Sequence, residues 1–172
     1  MNITNDNEIR VIDDLLPEEM RQICYKLLSR PKWSFDGGSI SHSRFWHMND
    51  LDQDWFFSMS MLNYVKKITP SPISVVKRIY ANGQTATQSG VMHRDDDKPN
   101  AWTFMYYSTP NWRYEYAGNT QFFDEDKNII KTVQYVSNRA VIFPSCILHM
   151  AEAPSRQYPG LRTTVAYKLD IQ

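Results

Sequence analysis

Apolar residues recur along this chain with two different periods, and the change falls near residue 72. Before it the spacing is helical. Met20, Ile23, Cys24, Leu27 and Leu28 make one stripe at three- and four-residue steps. Pro17 suits a first helical position, and Glu18 and Glu19 follow in the first turn, where the helix dipole favours anions. Pro31 lies just past the expected end. A second helix is predicted over about residues 52–68, with Leu51, Trp55, Met59, Leu62 and Val65 on one face and Pro70-Ser71-Pro72 closing it. Between the two, residues 34–49 carry glycine and aromatics (Phe35, Gly37, Gly38, Phe45, Trp46) and read as loop or short strands.

After Pro72 the pattern becomes that of strands. Residues 73–80 are β-rich through Val75, Val76, Ile79 and Tyr80, and Asn82-Gly83 is a turn signal. Residues 101–108 alternate and are aromatic, and 120–123, 129–136, 140–143 and 163–169 also read as strands. Many short strands separated by turns argue for a sandwich or barrel, with the N-terminal helices covering one sheet. The fold class expected is mainly β with N-terminal helices (α+β). One domain spans residues 1–172, with 1–72 as helical support and 73–172 as the β core.

Composition narrows the function. Apolar residues make up 42% and aromatics 13%, enough for a packed interior. Basic and acidic residues balance at 19 each, without the positive excess of a phosphate-backbone binder, so nucleic acid is not an expected partner. Neither Cys24 nor Cys146 sits in a CxxC pair, so the sequence does not support a disulfide framework or zinc ribbon. Their apolar neighbours (Ile23, Ile147, Leu148) suggest two buried thiols in a reducing, cytoplasmic setting. The first ten residues have no apolar h-region, so no signal peptide is read there, and no stretch approaches the roughly 20 apolar residues of a membrane span.

Three places carry candidate chemistry. In Val91-Met92-His93-Arg94-Asp95, an imidazole and a carboxylate two residues apart can point to the same side of a strand. In Val141-Ile142-Phe143-Pro144-Ser145-Cys146-Ile147-Leu148-His149, an apolar strand turns at Pro144 and a second apolar run delivers His149. Arg162 opens a late apolar strand and, if it points inward, needs an anion to offset its desolvation. Singly, each has an ordinary explanation: a strand-end His beside the acidic run Asp95-Asp96-Asp97, a satisfied core His, a solvent-facing Arg. Together, two His and one carboxylate make the facial triad of non-haem iron sites, which leaves positions open for other ligands. An Arg deeper in a barrel suits a carboxylate through a two-pronged contact.

With these residues in place, the chain resembles the Fe(II)/2-oxoglutarate dioxygenases, specifically their prolyl 4-hydroxylase-like branch, over most of its length. The match runs through Val11-Ile12-Asp13-Asp14-Leu15-Leu16-Pro17-Glu18-Glu19, Arg78-Ile79-Tyr80-Ala81-Asn82-Gly83-Gln84, Thr103-Phe104-Met105-Tyr106-Tyr107, Ala117-Gly118-Asn119-Thr120-Gln121-Phe122, the run from Phe143-Pro144 to His149, and the Arg162 strand. The HxD, His and Arg set is the specific part. Two departures stand out: Ala117 replaces the first of a pair of glycines, and the thirteen-residue step from His149 to Arg162 is somewhat longer than in the closest prolyl hydroxylases.

The resemblance implies a double-stranded β-helix of jelly-roll or cupin-like type. It implies Fe(II) held by His93, Asp95 and His149, with these and Arg162 as the catalytic set. Arg162 would pair with the distal carboxylate of 2-oxoglutarate, helped by the Tyr107 hydroxyl. Tyr80 would line the cosubstrate pocket, and Thr103, on the same strand face as Met105 and Tyr107, joins the cosubstrate set. Arg156 is a rival for the arginine role but sits in a Pro154/Pro159 loop. O₂ is the second cosubstrate, and the family admits ascorbate as an accessory reductant. The expected reaction is hydroxylation of a prolyl residue in a peptide or protein. A free amino acid or other small molecule is the alternative, and a nucleobase ranks third. Aromatics expected near the mouth are Trp46, Trp112, Tyr114 and Tyr116. A catalytically silent jelly-roll binding module, and a cupin using another ion, are the remaining readings.

Overall fold

Strand alternation builds this molecule from the inside out, and three strands show it best. On β5 (Ala101–Tyr107), Trp102, Phe104 and Tyr106 enter one apolar cluster, while Met105 and Tyr107 belong to another on the opposite face. On β10 (Arg162–Ile171), Val165, Tyr167 and Leu169 join the first cluster, and Arg162, Thr164, Ala166 and Lys168 line a cavity. On β4 (Ile73–Gln84), Ile79 and Ala81 join that cluster, and Arg78, Tyr80, Asn82 and Gln84 line the cavity. A two-residue period thus sends one set of side chains into the core and the other into a polar hollow.

The computed structural model describes residues 9–37 and 44–172. Gly38 of the aromatic segment and residues 1–8 of the stretch read for a signal peptide lie outside them. The other elements are β1 (Arg10–Ile12), α1 (Glu18–Leu28), β2 (Ser34–Gly37), β3 (Phe45–Met48), α2 (Leu62–Ile68), β6 (Thr120–Phe123), β7 (Ile129–Val133), β8 (Ala140–Pro144) and β9 (Leu148–Ala151). Seven strands form a sheet in the order β1-β8-β5-β10-β4-β3-β2, and three form a second in the order β7-β6-β9, with antiparallel pairing throughout. This is the jelly-roll, double-stranded β-helix expected from the sequence, mainly β with helices on one sheet. Three strands of the larger sheet, β1 to β3, come from the first 72 residues, so that region is not wholly helical.

The helices cover the outer face of the larger sheet. Cys24 and Leu28 of α1 and Leu62 and Val65 of α2 pack with Phe104, Ile142 and Tyr167 in one buried cluster. Each fully buried side chain of that size contributes ~1.5–3 kcal/mol. Among the described residues, no helix is long and apolar enough to cross a membrane.

Three expectations need correcting. The second helical region begins with a 3₁₀ turn (Leu51–Gln53) and a π-helical stretch (Phe56–Met61) before α2. Its wider i→i+5 turns shift the phase of the apolar stripe. Phe56, Phe57 and Met61 are therefore buried, while Trp55 and Met59 are 71% and 54% exposed. Asn82-Gly83 is not a turn: β4 runs through it, and Gly83 lies where a Cβ would meet the Leu161 side chain at 2.7 Å. Close packing, not a bend, calls for glycine there. Cys146 is exposed, because the Pro144 turn sends Ile147 inward and its neighbour out; only Cys24 is buried.

Candidate active site

The smaller sheet and the segment before β5 bring two distant histidines side by side. His93 and His149 form a β-bridge, each backbone N–H donating to the other's carbonyl, at 3.1 and 3.0 Å. Their rings lie 4.5 Å apart between centroids. Each Nδ1 sits against the carbonyl two residues upstream: Val91 O at 2.7 Å for His93, Ile147 O at 2.9 Å for His149. That contact places the proton on Nδ1 and turns both Nε2 lone pairs inward, the arrangement that orients metal-binding imidazoles. Burial pushes the His149 imidazolium down to about 4, so this ring is neutral near pH 7.

Asp95 lies between the rings. Its Oδ1 is 3.3 Å from His93 Nε2 and its Oδ2 is 3.4 Å from His149 Nε2. One ligand atom from each of the three residues falls within 4.8 Å of the others, a spacing that can hold a metal ion. The backbone N–H of Asp95 donates to Ser145 O at 2.9 Å, which ties the HxD segment to the turn before β9. Burial works against ionisation of Asp95, but the neighbouring Lys168 ammonium outweighs it and holds the carboxyl well below the usual range.

Arg162 is 1% exposed at the start of β10. Its Nε donates to Gly118 O and its Nη1 to Gln84 Oε1, both at 2.7 Å, and the guanidinium lies 4.8 Å from the Tyr135 ring centre. Nη2 is buried and, among the described residues, has no hydrogen-bond partner. Among the described residues no carboxylate forms an ion pair with Arg162. A buried guanidinium with one free prong is a built receptor for an anion.

Arg162 and the three candidate metal ligands open onto one cavity of about 250 Å³. Tyr80 also lines it, opposite Ala166 and four residues along β10 from Arg162. Tyr107 is buried; its hydroxyl donates to Thr120 Oγ1 at 2.7 Å, and its ring centre lies 5.9 Å from the Arg162 guanidinium. Thr103, expected beside the cosubstrate, is turned toward Asp95 instead: Oγ1 donates to Asp95 Oδ2 at 2.7 Å. Arg156 is exposed and outside the cavity.

The aromatics expected at the mouth are arranged differently. On β3, Phe45 and His47 line the cavity, and Trp46 points the other way to meet Phe35 at 5.1 Å, a consequence of strand alternation. Trp112 packs at a tilt against Tyr135 and Tyr158, with ring centres 4.4 and 4.5 Å away. Tyr114 is 78% exposed. The sequence reading did not single out Gln84, Tyr135 and Lys168. The two-residue period counted forward from Arg78 and Arg162 was the available signal for Gln84 and Lys168; Tyr135, inside the strand expected over 129–136, lies past the observed end of β7 at Val133.

The Ala117 substitution leaves a mark. Ala117 and Gly118 both have positive φ, at 54° and 74°, and Ala117 has ψ −131°, outside the left-handed region that a residue with a Cβ tolerates. The two residues aim the Gly118 carbonyl at Arg162 Nε. Ala117→Gly is expected to stabilise the protein by ~1–2 kcal/mol. A thermal melt should show this as a rise of ~2–8 °C, and an unchanged or lower midpoint would contradict the strain.

No protein-family model matches the chain, and no curated protein matches it by sequence. Solved structures do match in fold. A prolyl hydroxylase from Trichoplax adhaerens, in complex with a hypoxia inducible factor oxygen degradation domain peptide fragment, superposes with a TM-score of 0.71 at 14% identity, over 97% of this chain and 85% of that one. A Pseudomonas putida prolyl-4-hydroxylase gives 0.66 at 13% identity, over 96% and 93%. HygX from Streptomyces hygroscopicus, with nickel and 2-oxoglutarate bound, gives 0.69 at 12%, over 96% and 83%. The chain shares its fold with these oxygenases.

Proposed function

We propose that this chain is an Fe(II)- and 2-oxoglutarate-dependent oxygenase that hydroxylates an unactivated C–H bond. The observation that carries this reading is one cavity holding two things at once: two imidazoles and a carboxylate within 4.8 Å, and a buried arginine prong with no partner. A His₂-carboxylate set suits non-haem Fe(II) and leaves coordination positions free. The unpartnered Arg162 Nη2 suits the distal carboxylate of 2-oxoglutarate. His93, Asp95 and His149 would hold the metal, and Arg162 would hold the cosubstrate.

Iron and 2-oxoglutarate, when bound, supply the oxidation, with O₂ as oxidant and succinate and CO₂ as coproducts. The chain's own residues do the rest. The Val91 and Ile147 carbonyls fix the imidazole tautomers, and Thr103 anchors the Asp95 carboxylate. Gly118 and Gln84 orient the Arg162 fork. The buried Tyr135 ring, 4.8 Å from the guanidinium, covers that end. These contacts preorganise the site before any ligand arrives.

For the substrate, the resemblance supplies a prolyl residue in a peptide as one class and an amino-acid-sized molecule as the other. The cavity of about 250 Å³ also has to take the metal and 2-oxoglutarate, so what remains fits a group of amino-acid size, free or within a peptide. The class of reaction is tested by adding Fe(II) and then 2-oxoglutarate under anaerobic conditions. A visible metal-to-ligand charge-transfer band is expected on the second addition, with succinate release on exposure to air. A jelly-roll module without turnover gives neither, and their absence would overturn the reading.

A further inference from the structure

Lys168 occupies an unexpected place. It is the fourth cavity-facing residue of β10, and its Nζ pairs with Asp95 Oδ2, the oxygen that faces His149. It also reaches Thr103 Oγ1 at 3.3 Å and lies 5.8 Å from the Tyr80 ring centre. Directly across the ladder from it is Arg78. Arg78 faces the same cavity, donates to the neutral Asn49 Oδ1 at 2.7 Å and lies over the Tyr80 ring at 4.3 Å. Among the described residues no carboxylate pairs with it. Like charges opposite each other on one face of an antiparallel pair are destabilising, and here Asp95 offsets Lys168 alone.

The charge balance of the cavity points the same way. Arg78, Arg162 and Lys168 face it with basic side chains, and among the described residues lining it Asp95 is the one acidic side chain, an excess of two among Lys, Arg, Asp and Glu in a chain where these balance. Fe(II) adds two positive charges and 2-oxoglutarate two negative, so loading the site leaves the excess in place. Once Asp95 binds a metal, Lys168 becomes an ammonium beside a dication with its carboxylate already committed. A prolyl residue inside a peptide brings no charge to offset this. A substrate anion does.

Resting on the reading of the site as an iron and 2-oxoglutarate oxygenase, we infer that the substrate is a small carboxylic acid of amino-acid size, its carboxylate held between Lys168 and Arg78. Lys168 contacts a metal-ligand oxygen, so a carboxylate gripped there sets carbons a few bonds away next to the metal. That is the geometry a hydrogen-abstracting site needs. The ~300–1,000 Å³ usual for drug-sized ligands exceeds this cavity. Lys168 and Arg78 are thereby specificity-determining residues, and Arg162 remains with the cosubstrate.

The test uses the full chain with Fe(II) and 2-oxoglutarate. Succinate release in air is measured with small mono- and dicarboxylic acids and the common free L-amino acids, with the carboxamides of each, and with a short peptide containing proline and capped at both ends. At least one free acid should raise release ~10-fold or more over the substrate-free rate, and its carboxamide should not. Lys168→Gln and Arg78→Gln should each raise the KM for that acid by ~10-fold or more while the anaerobic charge-transfer band persists. Circular dichroism reports whether each variant is folded. Stimulation by the capped peptide alone, by acid and amide equally, or by no free acid overturns the inference, as does an unchanged KM in folded variants. Loss of the band in the unmodified protein removes the oxygenase reading and this one together. A band without stimulation by any free acid removes this one alone.

Discussion

Asp95→Ala is expected to weaken divalent-metal binding by well over ~100-fold, beyond the ~10–100-fold typical of losing a residue that merely supports a ligand. Titration with Co(II) or Mn(II), followed by calorimetry or tryptophan fluorescence, reads it directly. The carboxylate is the one anionic donor of the set; without it two neutral imidazoles remain to hold a dication. Stability is the wrong readout for this question. Asp95 is also the ion-pair partner of Lys168, and its carboxylate accepts from Thr103, so its removal destabilises the protein whether or not a metal ever binds. Lys168 keeps 20% of its side chain exposed, so that loss should fall below the ~3–5 kcal/mol of a fully buried pair. Asp95→Asn keeps the shape and part of the hydrogen bonding. It separates the two effects: affinity should fall as far as in the alanine variant while more of the fold's stability survives. A Kd within ~3-fold of the original in a folded Asp95→Ala protein, where a lost ligand should cost at least as much as a lost supporting residue, would refute the metal centre.

The reach of the sequence reading follows from what alternation can and cannot encode. Strands β4, β5 and β10 carry a clean two-residue period, so their existence and the inward direction of Met105 and Arg162 were legible. His93 and His149 were legible as types, since an HxD step and a His after an apolar run are local patterns. Their pairing across a β-bridge is a long-range event between segments 56 residues apart, and local spacing does not encode it. Lys168 was legible in principle, six residues from Arg162 on one face, but a lysine in a late strand ordinarily faces water, and composition weighs against placing it beside a metal motif. The second helix misled for a different reason. A helical wheel assumes 3.6 residues per turn, and the π-helical stretch over Phe56–Met61 breaks that assumption, which exchanged Trp55 and Met59 for Phe56, Phe57 and Met61 on the buried side. Asn82-Gly83 misled because glycine serves close approach as well as turning, and only the position of Leu161 distinguishes the two.

Arg162→Ala is expected to raise the 2-oxoglutarate requirement by ~30-fold or more while metal affinity stays near that of the unmodified protein, since truncating one partner of a buried charge pair costs ~2–5 kcal/mol. The guanidinium is already oriented in the free protein by Gly118 O and Gln84 Oε1, which leaves Nη2 for the ligand. Little ordering therefore remains to be done on binding, and most of the contact energy should appear as affinity. Burial holds the Arg162 guanidinium below its ordinary range without removing its charge, because Tyr135 and Tyr107, and Glu152 at longer range, act in the opposite direction. A buried cation whose nearest companions are neutral makes the empty protein pay for a function it performs only when loaded. Ligand linkage supplies the second measurement. In the unmodified protein with a divalent metal, 2-oxoglutarate at ~100 times its Kd should add ~2.7 kcal/mol of stability, and in Arg162→Ala at the same concentration that gain should fall to ~0.9 kcal/mol or less. Arg162→Lys restores the charge but not the fork and should recover only part of it. If Arg162→Ala kept both its 2-oxoglutarate affinity and the thermal shift, the cosubstrate would have to bind elsewhere in the cavity, and the unpartnered Nη2 would need another anion to explain it.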